Sequence, residues 1–174
     1  MIKGKKVGLR AIEKSDLEIL RDWRNNPDFR KNFREVRELN LSDQMKWYES
    51  SCVSNQNNFM FVIVDIKSNE LIGAAGLLYI NWVIRSADFS FYIGKENKYI
   101  DNDGYAEDAS KLLINYAFNN LNLHKIWMEL YEFDNKKIDF FTNKFNFIKD
   151  GVLRDNCFEN GRYRNSVIIS LIKD

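Results

Sequence analysis

The chain has 174 residues, 45% of them hydrophobic and 29% charged, and its 26 Lys and Arg against 25 Asp and Glu leave a formal net charge of +1. That length suits one domain with a full core rather than two, and the charge balance excludes a global pull toward nucleic acid or an anionic membrane surface. No apolar run approaches the ~18 residues of a bilayer span, and a single histidine, His124, with two isolated cysteines, Cys52 and Cys157, lacks metal-ligand spacing, so no metal is expected.

The basic start, Met1-Ile2-Lys3-Gly4-Lys5-Lys6, runs into polar residues rather than an apolar signal core, and two free thiols fit a reducing, cytoplasmic setting. Residues 6–11 read as a first strand. Ser15, with Glu18 three residues on, forms a capping box for a helix carrying Leu17, Leu20, Trp23 and Arg24, which Asn25-Asn26-Pro27 breaks. Ser42 caps a second helix over about 43–51. Residues 59–65 and 71–80 are β-rich runs around a tight Ser68-Asn69 turn, and a polar turn at 81–85 leads to a strand over 88–93. The clearest helix places Ala106, Ala109, Leu112, Leu113, Tyr116 and Ala117 on one face and ends near Asn119-Asn120. A strand over 125–131, a helix over 135–145 with Ile138, Phe141 and Phe145 inward, and two strands joined at Asn160-Gly161 complete the chain. Strand, turn, helix and strand around Gly104 imply a right-handed crossover, hence one parallel pair in an otherwise antiparallel sheet.

That turn reads Asp101-Asn102-Asp103-Gly104-Tyr105-Ala106. A turn of small residues that opens a helix leaves backbone N–H groups able to hold a phosphate. The plainer reading keeps Asp101, Asp103, Glu107 and Asp108 as acids that cap the helix and complement its dipole.

The order of elements and these residues together resemble the GNAT superfamily of acyl-CoA-dependent N-acetyltransferases, and within it the branch of ribosomal-protein, spermidine and nucleotide-amino-sugar N-acetyltransferases. The family's pyrophosphate loop, Gln/Arg-x-x-Gly-x-Gly/Ala, falls in frame on Asp101 to Ala106; its cofactor-side asparagine matches Asn135, and its closing Gly-Phe stands as Asn146-Phe147. Leu123-His124-Lys125-Ile126 and the tail through Asn160-Gly161-Arg162-Tyr163 resemble the same branch. The resemblance implies an α/β (mixed α+β) fold: one GNAT-type domain over residues 1–174, with a central, mostly antiparallel, splayed sheet and helices on both faces. Residues 1–60 would face the acceptor, 61–147 form the acyl-CoA core and 148–174 the C-terminal hairpin. It further implies acetyl transfer from acetyl-CoA to a primary amine of a small molecule, a nucleotide-linked amino sugar being favoured. Protein acetylation and a non-catalytic module stay open as alternatives, as does a homodimer.

Three departures qualify this. Asp101 replaces Gln or Arg, Asn102 a common glycine, and Thr142 the tyrosine that serves many members as general acid. A carboxylate ~6 Å from a phosphate charge costs about 3 kcal/mol at an effective dielectric of ~20. Asp101 and Asp103 are therefore expected to face solvent, with Lys95 and Lys98 supplying positive charge.

The implied coenzyme contacts are the backbone of Tyr92 and Ile93, the loop residues Asn102, Asp103, Gly104, Tyr105 and Ala106, and the Asn135 amide, which serves equally well as a helix cap. Chemistry asks for a base to free an amine that is about one-thousandth neutral at pH 7. Glu129 is the first candidate and Asp88 the second, though an outward Glu129 on a half-buried strand fits the pattern as well. A donor must protonate the departing thiolate; Tyr131 and Tyr92 are candidates, and each is also a natural packing aromatic. Trp23, Arg24 and Asn25, followed by Arg30, Arg34 and Arg37, form the expected acceptor site, where arginines could grip a diphosphate and the indole stack on a ring. A charged helix face with Trp23 in the core is the alternative.

Overall fold

A computed structural model describes residues 1–173. Eight strands form one sheet in the order β1-β2-β3-β4-β5-β6-β8-β7. They are β1 (Ile2–Lys3), β2 (Val7–Ala11), β3 (Phe59–Asp65), β4 (Leu71–Asn81), β5 (Ser86–Ile93), β6 (Lys125–Tyr131), β7 (Ile148–Glu159) and β8 (Arg162–Ile172). Every neighbouring pair is antiparallel except β5 and β6. The crossover between those two carries α4 (Tyr105–Asn115), extended by a π-helical turn to Asn120. Helices α1 (Leu17–Asn25), α2 (Pro27–Arg30) and α3 (Leu41–Trp47) lie between β2 and β3, and α5 (Asn135–Phe145) follows β6.

Side-chain alternation along the strands assigns the helices to two faces. Phe89 and Phe91 of β5 meet Phe141 of α5 at ring separations of 5.4 and 6.0 Å, and Phe61, in register with Ala75 and through it with Phe91, meets Tyr116 at 5.5 Å. α4 and α5 therefore share one face. Tyr92 points the other way, into Trp23, Phe29 and Phe33 at 5.2–6.2 Å, so α1 and α2 cover the opposite face. Two aromatic clusters thus clamp β5 from both sides.

The sheet opens beside β5. Parallel pairing with β6 covers only Ser86, Ala87 and Asp88 against Lys125, Ile126 and Trp127. β5 continues with β4 to Ile93, while β6 continues with β8 to Tyr131. Each strand keeps its outer partner and loses its inner one, which leaves a wedge between them.

Most expected elements stand where the periodicity put them, but two caps move. Ser15 does not cap a helix. Glu13 and Asp16 exchange the capping bonds of a short 3-10 turn, because Arg10 holds the buried Asp16 carboxylate with two bonds of 2.8 and 2.9 Å. Asn40, not Ser42, caps α3, accepting from the Asp43 amide at 2.9 Å.

Gly94 ends β5 directly under the Trp23 ring, and a Cβ there would overlap that ring. Overpacking of this kind typically costs 1–3 kcal/mol. Gly94→Ala is expected to lower the urea-unfolding free energy by about 1–3 kcal/mol and to shift Trp23 fluorescence to the red, since the indole is the group that must move.

Candidate active site

The wedge holds a cavity of about 330 Å³. Asp88, Ser90, Glu129 and Tyr131 approach it from the face covered by α1 and α2, since Asp88 pairs with Trp127 and residues two apart share a face. Arg34, on the segment between α2 and α3, closes that side. Lys137, in the first turn of α5 on the other face, reaches in from behind with Asp134 and Tyr99.

Asp88 sits where the strands part. Its carboxylate has no hydrogen-bond partner among the described residues, and burial pushes its pKa up to about 6, Glu129 adding to the rise while Lys137 and Arg34 oppose it. Glu129 does face the cavity rather than solvent. One of its oxygens accepts three bonds, from Arg34 (2.5 Å), Asn156 (2.5 Å) and Ser166 (2.7 Å). All three bonds fall on Oε1, and Oε2 meets no donor among the described residues; Asp88, with no bond to either oxygen, has the freer lone pairs of the two candidate bases.

The wedge also strands backbone groups, and the chain satisfies several itself. The Ile93 amide and carbonyl both bond Tyr99 at 2.9 Å. Tyr92 lies in register with Ala74 of β4. The Phe91 carbonyl accepts from the buried Lys137 ammonium at 2.8 Å. Tyr99 donates to Asp134 at 2.5 Å, and its ring lies 5.2 Å beneath the Lys137 charge. Asn135 is exposed at the start of α5; the capping side chain is Asp134, which accepts from the Lys137 amide at 3.2 Å. Sequence reading missed Tyr99, Asp134 and Lys137. The available signal was helical spacing, since Lys137 precedes the inward Phe141 by one turn.

The loop before α4 departs from expectation. Asp101 does not face solvent. It is 6% exposed, and its carboxylate accepts from the amides of Tyr105 (3.0 Å) and Ala106 (2.5 Å). Those are two of the amides expected to hold a pyrophosphate. The reason is local: an open helix N-terminus draws the nearest anion, and Asp101 is tethered beside it. The amides of Asn102, Asp103 and Gly104 meet no acceptor among the described residues. Gly104 has a left-handed φ of 89°, and a Cβ there would stand 3.2 Å from the Lys6 ammonium, which itself donates to the Asp103 carbonyl. Asp103 is exposed as expected, and Lys98 holds it at 2.8 Å. Lys95 turns away to Glu70. The cation nearest the loop glycine is thus Lys6, from the far end of the chain.

The expected acceptor residues are held by the chain itself. Trp23 packs on Gly94 and Tyr92, Arg24 lies 4.8 Å over the Phe33 ring, and Asn25 clasps the Leu39 backbone with bonds of 2.7 and 2.9 Å. Three of the four arginines expected to grip a diphosphate are paired with acids, Arg30 with Glu38, Arg34 with Glu129 and Arg37 with Glu35, while Arg24 makes no ion pair among the described residues and its Nε is buried without a hydrogen-bond partner. Tyr92 is fully enclosed, and burial drives its hydroxyl up to about 12. Burial also raises the Tyr131 hydroxyl, which lines the cavity, donates a long 3.4 Å bond to the Phe33 carbonyl and stacks at 4.9 Å on Phe133. Thr142 bonds back to the Ile138 carbonyl at 2.9 Å and offers the cavity nothing.

A mostly antiparallel sheet parted beside its one parallel pair, with a helix N-terminus close by, defines a class, and the Acetyltransferase (GNAT) domain family matches residues 6–140. The chain belongs to that family and is a GNAT N-acetyltransferase. It is 30% identical over 157 residues to the spermidine N(1)-acetyltransferase of Vibrio cholerae, covering 90% of this chain and 87% of that one. It is 32% identical over 164 residues to the Escherichia coli K12 spermidine N(1)-acetyltransferase, covering 92% and 83%. The crystal structure of the Vibrio cholerae spermidine N-acetyltransferase in complex with CoA and spermine superposes with a TM-score of 0.87 at 26% identity, covering 96% and 95%.

Losing an N-cap acid costs about 0.5–2 kcal/mol. Asp101→Ala is accordingly expected to lower thermal and urea stability by about that amount, with exchange protection lost first at the Tyr105 and Ala106 amides.

Proposed function

We propose that the chain moves an acetyl group from acetyl-CoA to a primary amine of an aliphatic polyamine, with Asp88 as the base. The Asp88 carboxylate carries this reading: it stands free of hydrogen bonds, with a pKa raised to about 6, at the point where the strands separate. A general base works best with a pKa near the working pH. The pairing of Arg30, Arg34 and Arg37 with carboxylates disfavours an anionic acceptor such as a nucleotide-linked amino sugar, since only Arg24 of the group holds none. Similarity to the two spermidine N(1)-acetyltransferases supports the polyamine class.

In the proposed reaction the amine nitrogen attacks the thioester carbonyl, and Asp88 takes the proton it sheds. The C–N bond forms as the C–S bond breaks, and the thiolate leaves. Arg34 bonds Glu129, whose charge adds to the rise at Asp88. The open amides of Asn102, Asp103 and Gly104, with Lys6 beside them, would meet the coenzyme's diphosphate.

The direct test is thiol release from acetyl-CoA across an amine panel. Spermidine and spermine are expected to turn over well above nucleotide amino sugars and peptide amines; equal or reversed preference would overturn the acceptor class. Because Asp88 acts only when deprotonated, kcat/KM should rise about tenfold per pH unit below pH ~6 and flatten above it. Asp88→Asn should remove that limb and lower kcat by 10²–10⁴-fold, while Glu129→Gln should cost less.

A third measurement concerns Asp101. Bringing a diphosphate within ~6 Å of its charge costs about 3 kcal/mol. Asp101→Asn, which retains one acceptor oxygen for the cap, is expected to tighten acetyl-CoA binding by tenfold or more in calorimetric titration. Weaker binding in that variant would show that the carboxylate does not compete with the coenzyme.

A further inference from the structure

The chemistry requires a proton for the departing thiolate, and Thr142 cannot supply it, since its hydroxyl is turned to the backbone of its own helix. One cationic donor lines the wedge from the side opposite Asp88. Lys137 is 7% exposed, and its ammonium makes one hydrogen bond, to the Phe91 carbonyl at 2.8 Å, leaving further N–H groups for the cavity.

We propose that Lys137 is the general acid of this enzyme, donating an ammonium proton to the thiolate sulfur as the C–S bond breaks. The inference rests on the acetyl-transfer reading above. The proton balance closes within the cavity. Asp88 gains the proton the amine loses, Lys137 loses the one the sulfur gains, and transfer from the Asp88 carboxyl to the neutral Lys137 amine restores both groups. The sum is amine plus thioester giving amide plus thiol.

The surroundings of Lys137 suit the task. Desolvation lowers its pKa from the usual lysine range, and Asp134 and Asp88 oppose that fall without cancelling it. A weaker acid than an ordinary thiol donates poorly, so moving a lysine down toward the thiol range improves the transfer. The groups facing it are few: Asp134 caps its own helix, Tyr99 lies beneath it and gives its hydroxyl to Asp134, and Asp88 with Glu129 and Arg34 face it across the wedge. Tyr99 is no rival donor, because burial and the Asp134 carboxylate drive its hydroxyl well above the ordinary tyrosine value.

Lys137→Arg keeps a positive charge able to reach Phe91 but holds its proton too tightly to give it up. Lys137→Met removes both. Both variants are expected to lower kcat with acetyl-CoA by 10²-fold or more, with coenzyme affinity by calorimetry within about threefold. Parent kcat should decline on an alkaline limb below the ordinary lysine range, and Lys137→Arg should lack that limb. Turnover of Lys137→Arg within threefold of the parent, or an alkaline limb unchanged in it, overturns the proposal. Should Lys137→Met fail to fold by circular dichroism, the arginine variant and the parent pH profile decide alone; a parent without an alkaline limb also overturns it. A parent that releases no thiol with any amine defeats the acetyl-transfer reading itself. Turnover in the parent with an unimpaired variant defeats only this assignment.

Discussion

The separation of β5 from β6 after three parallel pairs is the constraint on which the rest depends. Parting two strands inside a sheet exposes peptide groups that a continuous sheet would have paired, and such groups are costly to bury alone. The sheet tolerates the opening because each strand retains its outer partner and because aromatic clusters hold β5 from both faces. The stranded groups then attract what the chain can offer. Tyr99 closes on Ile93, and Lys137 closes on Phe91. The feature that makes a cavity thereby also recruits the ionisable groups that line it.

Asp101 shows the same logic at the helix terminus. The amides that make an N-terminus a receptor for a phosphate are those that reward a capping carboxylate. A glutamine or arginine at this position would leave more of them free. The aspartate takes two and leaves three. Under the proposed coenzyme site, stability and anion affinity draw on one set of donors, and a substitution at position 101 is expected to move them in opposite directions. Lys6 and Lys98 do not resolve the conflict, since both are directed onto Asp103. They place cationic charge beside the loop without displacing the cap.

The fold was legible because hydrophobic period and turn chemistry act locally. The strand Lys125–Tyr131 and the helix Asn135–Phe145 fell where periodicity put them, and Ser68-Asn69 and Asn160-Gly161 made their turns. The cap of the first helix was misplaced because Asp16 answers to Arg10 on a neighbouring strand, a contact that local spacing does not encode, and that of α3 because Asn40, two positions before Ser42, exchanges capping bonds with Asp43. The site was legible only in part. Asp88, Glu129 and Tyr131, candidates on the resemblance with an outward Glu129 left open, line one side of the wedge because strand alternation puts them on one face. Lys137 and Tyr99 come from the opposite face and from a loop, and they meet only because the sheet opens. The arginine group misled for the converse reason. Sequence displays the charges of Arg30, Arg34 and Arg37 but not their partners, and Glu129, the partner of Arg34, lies 95 positions away.

Under the proposed reading, the charges in the wedge answer a conflict in the chemistry. A polyamine arrives as an ammonium and is drawn to carboxylates, yet the reaction needs it neutral. A carboxylate alone would raise the amine's pKa and hold the proton in place. Lys137 and Arg34 act against this. A like charge ~6 Å away at an effective dielectric of ~20 is worth about 3 kcal/mol, or about two pKa units. Two cations facing the acceptor nitrogen thus offset the pull of Asp88 and Glu129, while Asp88 stays poised to take the proton. Arg34 is doubly used, since it also helps hold one oxygen of Glu129, leaving Asp88 the carboxylate of the pair with no hydrogen bond among the described residues. Removing either cation should therefore impair turnover at low pH more than at high pH, where solvent deprotonates the amine without help.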